Sequence, residues 1–143
     1  MNIVIQLLNI YYTQELWHNK YLPLPEAIRY YNHLLNKGNL IYQTDDKGEI
    51  MGYLEFFKID YDQFRKLAEN KGFPVLEENI SDGNICWISD VFIDENHRNN
   101  SVYKNLKGSL FNAAKNCEYF AGFEQGHNKR LQIRQNIKNI RRF

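Results

Sequence analysis

The stretch WISDVFIDENHRNNSVYKNL, residues 87–106, changes character twice. Up to Ile93 it continues a run of strand formers that begins at Ile85 and is interrupted only by Ser89 and Asp90. Such a run predicts a strand buried on both faces. Asp94 to Ser101 is polar and includes two asparagines, which tolerate left-handed backbone. From Val102 to Cys117 the apolar positions Leu106, Leu110, Phe111 and Ala114 recur on one helical face. The reading is strand, tight turn, helix. Successive backbone N–H groups at a helix N-terminus make an anion site, reinforced by the helix dipole. Residues 99–103 supply those donors, and the Ser101 hydroxyl either meets a phosphate or caps the helix. By itself the motif fits a plain N-cap at Asn100 or Ser101 equally well.

Outward from this segment, Asn39–Thr44 and Glu49–Lys58 are strand-like runs joined by Asp45-Asp46-Lys47-Gly48, a hairpin connection ending in a left-handed glycine. Gly52 inside the second strand signals a bulge or a close backbone approach. Pro25 suits the first turn of a helix running to about Asn36, with Ala27, Ile28, Tyr31, Leu34 and Leu35 near helical spacing and Gly38 as its stop. Residues 61–70 form a short amphipathic helix and residues 77–84 a loop. Residues 2–10 open with the β-branched Ile3, Val4 and Ile5 and predict a first strand. Thr13 then caps a short helix that includes Glu15 and Trp17. Tyr119–Phe123 is a further strand. Residues 128–140 form a last, basic helix with Ile133, Ile137 and Ile140 on its apolar face. The order β, α, α, β, β, α, β, α, β, α describes a mixed sheet rather than a doubly wound one.

The chain has 143 residues, the size of one domain. Its 43% hydrophobic and 24% charged residues exclude a disordered chain. Ten Tyr and nine Phe supply much of the core. A net charge of +1 gives no global field for nucleic acid or membrane. No apolar run approaches the roughly 20 residues of a membrane helix. Cys86 and Cys117 form neither a disulfide framework nor a metal signature, so a reducing, cytoplasmic location is expected, with no membrane association. Past Glu124 every charged residue is basic.

Taken with its neighbours, the quoted segment resembles the cofactor motif of the GNAT superfamily of N-acetyltransferases. There, a strand with a hydrophobic-x-hydrophobic pair leads through a turn to Arg-x-x-Gly-x-Gly/Ala and a helix. Val91 and Ile93 match the pair and Arg98 the arginine. Ser101 falls on the first glycine, and Tyr103 on the second small position, where some members carry Tyr. The hairpin NLIYQTDDKGEIMGYLEFF looks like the family's second and third strands, and EYFAGFEQ followed by His127-Asn128 like its fifth strand and the Asn that opens the next helix. The resemblance spans about residues 26–135. It implies an α/β fold of the α+β type: a mixed, mostly antiparallel central sheet flanked by helices. The single domain would be 1–143, with an insertion at about 60–83 and the basic helix at 128–140. It implies acetyl-CoA as cofactor, held by Val91, Phe92, Ile93, Arg98, Asn99, Asn100, Ser101, Val102, Tyr103 and Asn128, with an unidentified primary amine as acceptor. The chain departs from the pattern at Ser101. It departs again at Gln135, where the family often has a general-acid Tyr seven residues after the Asn. The family's final strand pair is missing or replaced.

Acetyl transfer to an amine requires a polarised thioester carbonyl, which backbone N–H groups at Val91–Ile93 can supply, and a proton acceptor. Asp90, a carboxylate in an apolar strand, is the first candidate base. Burial would raise its pKa, and the alternative is that it accepts hydrogen bonds from a neighbouring loop. Glu55 is the second, against a solvated strand face. His97, His127, Tyr103 and Tyr119 are weaker candidates, and Cys86 and Cys117 read as packed thiols. A different function also fits: a degenerate member, viral or from a mobile element, whose basic tail binds nucleic acid or an acidic protein. A homodimer is left open.

Overall fold

The computed structural model describes residues 2–14, 21–70, 82–98, 101–123 and 130–136. The helices are α1 (Ile3–Thr13), α2 (Leu24–Lys37), α3 (Tyr61–Glu69) and α4 (Val102–Ala113). The strands are β1 (Leu40–Thr44), β2 (Ile50–Ile59), β3 (Ile85–Ile93), β4 (Tyr119–Phe123) and β5 (Leu131–Gln135). They form one sheet in the order β1-β2-β3-β4-β5. Every pairing is antiparallel except β3 with β4, which are parallel and joined through α4. The expected mixed, mostly antiparallel sheet with flanking helices is therefore present.

The β1–β2 hairpin forms where its turn chemistry puts it. The Asp45 carboxylate accepts from the N–H groups of Lys47 and Glu49, both at 2.9 Å, and Gly48 closes the turn at φ 81°. A side chain there would be strained. Gln43 faces Gly52 but Thr44 faces Ile50, so Met51 is bulged out. Gly52 is a close approach: a Cβ on it would lie 2.9 Å from Ile93 Cδ1, Phe92 O and Val102 Cγ1. The missing methyl lets the end of β3 and the start of α4 close onto β2.

Helix α2 ends at Gly38, where the N–H groups of Gly38 and Asn39 return to the carbonyls of Leu35 and Leu34. Its Ala27, Tyr31 and Leu34 are buried at helical spacing. One face of the sheet packs Tyr53, Phe57, Ile59 and Trp87 with Leu7 of α1, Tyr31 and Leu34 of α2 and Leu67 of α3. The other packs Leu54, Phe56 and Cys86 with Leu110 and Ala114.

Four expectations fail. Residues 2–10 lie in helix α1, not a strand. The Asn2 side chain caps it by accepting from the N–H groups of Val4 and Ile5. Gln6, which a strand would have turned to one face, is buried and fastens the helix to the hairpin: its amide donates to Gly48 O at 2.9 Å and accepts from Ile50 N–H at 2.7 Å. Thr13 is the last residue of α1, not the cap of a second helix, and residues 15–20 lie outside the described residues. The basic helix over 128–140 is overturned at its centre. Leu131–Gln135 is strand β5, pairing with β4 from Tyr119↔Gln135 to Phe123↔Leu131, because the outer edge of β4 offers backbone partners that helical spacing of isoleucines cannot reveal. Residues 128–129 and 137–140 lie outside the described residues, so no continuous basic helix face is formed across 131–135. Finally, β3 is fully buried only at Cys86 and Trp87 and half-buried elsewhere.

Gly52→Ala is expected to lower stability by about 1–3 kcal/mol, the usual cost of overpacking, because the methyl meets backbone as well as side chains. Urea unfolding of the two proteins checks this; an unchanged midpoint would show that the sheet and α4 are not locked at this point.

Candidate active site

The site is organised by a second bulge, in β3. Glu55 faces Asp90 but Phe56 faces Ile88, so Ser89 has no ladder partner of its own on β2. A bulge bends a strand and sharpens its twist. The parallel ladder to β4 runs from Ile85↔Tyr119 to Ile88↔Gly122 and ends at this bend, while β3 continues along β2 to Ile93. Asp94 N–H donates to Met51 O at 2.8 Å. By antiparallel alternation Phe92 and Asp90 then exchange bonds with β2, and the N–H groups of Val91 and Ile93 point to the opposite side, where β4 has left the ladder.

Past Ile93 the chain turns sharply. The Asp94 carboxylate accepts from Asn96 N–H at 3.2 Å, and Glu95–His97 form one 3-10 turn leading to Arg98. Asn99 and Asn100 lie outside the described residues, as do Asn128 and His127. Ser101 occupies the N-cap of α4, but its side chain makes no capping bond. Of the two roles expected for that hydroxyl, capping is not the one it fills. Val102 is buried against Gly52, and the N–H groups of the first turn, from Val102 onward, have no helical carbonyl to meet. Tyr103 is half-exposed, its ring beside Lys107 Nζ at 5.5 Å.

Opposite the α4 face lies a pair of carboxylates. Glu55 and Asp90 are cross-strand partners, so both side chains rise from the face covered by α1 and α2. Glu55 is 4% exposed, not a solvated strand residue. Tyr30 OH donates to Glu55 Oε1, and Tyr53 OH donates to Asp90 Oδ2 at 2.7 Å. Tyr31 packs in the same core cluster as Tyr53. Burial, and then the negative charge of Asp90, push the Glu55 carboxyl up to about 8, against a smaller downward pull from the Ser89 hydroxyl. Burial and Asp90 also hold the Tyr31 and Tyr53 phenols well above their ordinary range, so both remain proton donors.

The structure thus brings together Glu55, Asp90, Val91, Phe92 and Ile93, with Ser101, Val102 and Tyr103 at the end of the same strand-turn-helix unit. Tyr119 and Gln135 face each other at the other end of the β3–β4 ladder from the bulge. Cys86 and Cys117 are buried with thiols pushed up by burial, as packed cysteines should be. Sequence reasoning missed Tyr53, Tyr30 and Tyr31. Tyr53 was accessible to it, since residues two apart on a strand share a face with Glu55; the α2 tyrosines depend on tertiary packing. Among the described residues no helix is long and apolar enough to cross a membrane, and no three His, Cys, Asp or Glu side chains gather as metal ligands.

A carboxyl raised in the folded state holds its proton over a pH range where the unfolded chain releases it. Stability attributable to Glu55 is fully present below about 4.5, the ordinary value, and is lost as pH rises through about 8. Between these limits unfolding should release up to one proton. Glu55→Gln is expected to flatten that loss, and thermal midpoints measured from pH 5 to 9 in both proteins check it. Parallel curves would mean that Glu55 is not held protonated.

The acetyltransferase (GNAT) family profile matches residues 2–132. No protein of curated function matches the sequence. Among solved structures, the chain is similar to the GphF GNAT-like decarboxylase in complex with isobutyryl-CoA, with a TM-score of 0.61 at 15% identity over 87% of this chain and 63% of that one. It also resembles a GNAT-family acetyltransferase from Staphylococcus aureus Mu50, with a TM-score of 0.56 at 16% identity over 87% and 69% of the two chains. A third is yncA, a putative acetyltransferase from Salmonella typhimurium with its cofactor acetyl-CoA, at 0.54 and 11% identity over 88% and 64%. The chain thus spans a little under two thirds of the first of these. Strand order, the bend in β3, the turn into α4 and the family match agree: this chain belongs to the GNAT acetyltransferase family.

Proposed function

We propose that the protein is an acetyl-CoA-dependent N-acetyltransferase acting on a primary amine. The observation that carries this reading is the bend at Ser89: it ends the ladder to β4, leaves an acid pair on one face of β3, and sends the strand into the N-terminus of α4 on the other. The residues present fit an acyl-CoA. The first-turn N–H groups of α4 meet no helical carbonyl, the Ser101 hydroxyl is not used as a cap, and Gly52 lets this end of the helix sit close to the sheet.

In this reading Arg98, Asn99, Asn100, Ser101, Val102 and Tyr103 hold the pyrophosphate, and Asn128 also contacts the cofactor. Acetyl-CoA supplies the acyl group and a thiol leaving group. The N–H of Ile93 offers a donor to the acyl carbonyl, with Val91 and Phe92 on the same stretch of strand and Phe92 bonded to β2. The acceptor approaches from the α1–α2 face, where Asp90 and Glu55 take a proton from the amine. Two carboxylates this close do not both ionise at neutral pH, so the pair carries about one proton and has one place to receive another. Tyr53 and Tyr30 orient them. The degenerate, binding-protein alternative rests on Ser101, Gln135 and the missing or replaced final strand pair and stays as the second reading, with strand β5 in place of helix over Leu131–Gln135 of its basic stretch.

Calorimetry with acetyl-CoA tests the reading: saturable binding is expected, with Ser101→Glu weakening it at least tenfold by setting a carboxylate against phosphate. No binding at millimolar ligand would sink it, and an unchanged affinity in the variant would move the phosphate site elsewhere. For turnover, Asp90→Asn should cut kcat/KM by roughly 100-fold or more, within the range for loss of a general base. The wild-type kcat/KM should climb as pH is raised from 6 to 9, because the raised carboxyl loses its proton near 8. A flat profile would exclude the pair as proton acceptor.

A further inference from the structure

Strand β5 closes the sheet on one side, and among the described residues no strand pairs with its outer edge. All of its residues are exposed, Leu131 at 37% and Ile133 at 54%. Yet Leu131-Gln132-Ile133-Arg134 alternates apolar and polar, the pattern of a strand with one covered face. Register assigns that face. Leu131 lies opposite Phe123 and Ile133 opposite Ala121, and both of these β4 residues pack in the core cluster on the α1–α2 side. The apolar row therefore runs from the core out to the rim of the sheet.

Backbone direction decides what the rim can bind. Asn136 N–H donates to Glu118 O at 2.8 Å. By antiparallel alternation Arg134 and Gln132 then bond to β4, and the N–H and C=O groups of Leu131, Ile133 and Gln135 point outward. Such a row is a template for another strand. The opposite rim, β1, is less open: Leu40 is buried, and of the rest only Tyr42 is exposed.

We propose that β5 pairs antiparallel with β5 of a second copy of this chain, with Ile133 facing its own counterpart across a two-fold axis. This pairing is independent of the acyl-transfer reading. Centred on Ile133, the two strands use every outward group: Ile133 exchanges bonds with Ile133, and Leu131 with Gln135 in both directions. The axis stands perpendicular to the sheet, so both copies keep their faces. Leu131 and Ile133 of the two chains then merge into one apolar row. Charge selects the same register. Arg134 faces Gln132, whose amide oxygen accepts from a guanidinium, and Arg130, one step beyond the strand, faces Asn136. Centring on Gln132 would instead set Arg130 against Arg134, and centring on Arg134 would set two arginines face to face, both destabilising. Because the same patch serves both partners, the contact closes as a dimer.

Sedimentation of the full chain tests this. A monomer–dimer equilibrium is expected, with dimer predominating at about 100 µM, since a short strand-to-strand contact is a small interface with affinity in the micromolar range. Ile133→Arg sets two guanidinium groups opposite each other and should weaken the dimer by roughly tenfold or more, with an unchanged far-UV spectrum as the check that it folds. Cysteine pairs test the register. Gln132→Cys and Arg134→Cys chains, mixed and oxidised, should form a disulfide-linked dimer, because facing residues of a non-hydrogen-bonded pair lie about 4.5 Å apart at Cα, within disulfide reach. Either variant alone should link far less, and the native Cys86 and Cys117 are buried. A wild-type chain that stays monomeric overturns the proposal and leaves the rim to another strand. A dimer that survives Ile133→Arg, species that keep growing beyond the dimer, or equal linking by the single variants overturn it as well. If Ile133→Arg does not fold, the mixed-cysteine result decides.

Discussion

Ser89 is an extra residue in a strand that cannot afford to be irregular anywhere else. On its N-terminal side β3 is held between β2 and β4, with Trp87 and Cys86 buried on opposite faces of the sheet. On its C-terminal side it is held by β2 alone and then by the packing of Val102 on Gly52. The bulge separates these two regimes. Without it, Asp90 would shift by one position, and a one-residue slip moves a side chain to the other face of the sheet. The acid pair would then be divided between the two faces, and the strand would lose its bend where β4 departs.

The same bulge explains why an unfavourable arrangement persists. Placing a half-buried carboxylate, Asp90, opposite a buried one, Glu55, is destabilising, and the raised Glu55 carboxyl is the sign of it. Hydrogen bonds answer it: Tyr30 donates to one acid and Tyr53 to the other, while the Ser89 hydroxyl donates to the Glu55 carbonyl at 3.3 Å. The Tyr53 phenol, raised by the same burial, keeps its proton near neutral pH, so this donor stays in place while Glu55 titrates.

What could be read from the sequence was whatever local chemistry decides. The hairpin was legible because Asp45 and Gly48 form its turn without help from the rest of the chain, and α2 because Pro25 and Gly38 bracket a helical apolar pattern. Asp90 and Glu55 were legible as polar residues within apolar runs, but their pairing was not, since register depends on a bulge that Ser89-Asp90 marks only as a polar break. The N-terminus misled because IVIQLLNIYY is apolar all round and rich in β-branched residues. Its helix is decided by the Asn2 cap and by the two bonds Gln6 makes to the hairpin, one of them across 44 positions of sequence. Likewise β5 exists because β4 has an edge to pair, and Leu131 and Ile133 alternate on a strand as readily as Ile133 and Ile137 recur on a helix.

For an amine acceptor, the magnitude of the carboxyl shift matters more than its mere presence. An alkylammonium ordinarily loses its proton near 10, and a glutamate in water takes one only near 4, a gap of about six pKa units, or roughly 8 kcal/mol uphill. With Glu55 raised to about 8, the gap narrows to about two, or roughly 3 kcal/mol. A carboxyl buried beside a second acid, as Glu55 is beside Asp90, is therefore a far better proton acceptor for an amine than a solvated carboxylate, and the burial and repulsion that make it so are what cost the fold stability. Tyr30 and Tyr53 hold this balance, stabilising the pair with hydrogen bonds without removing its charge.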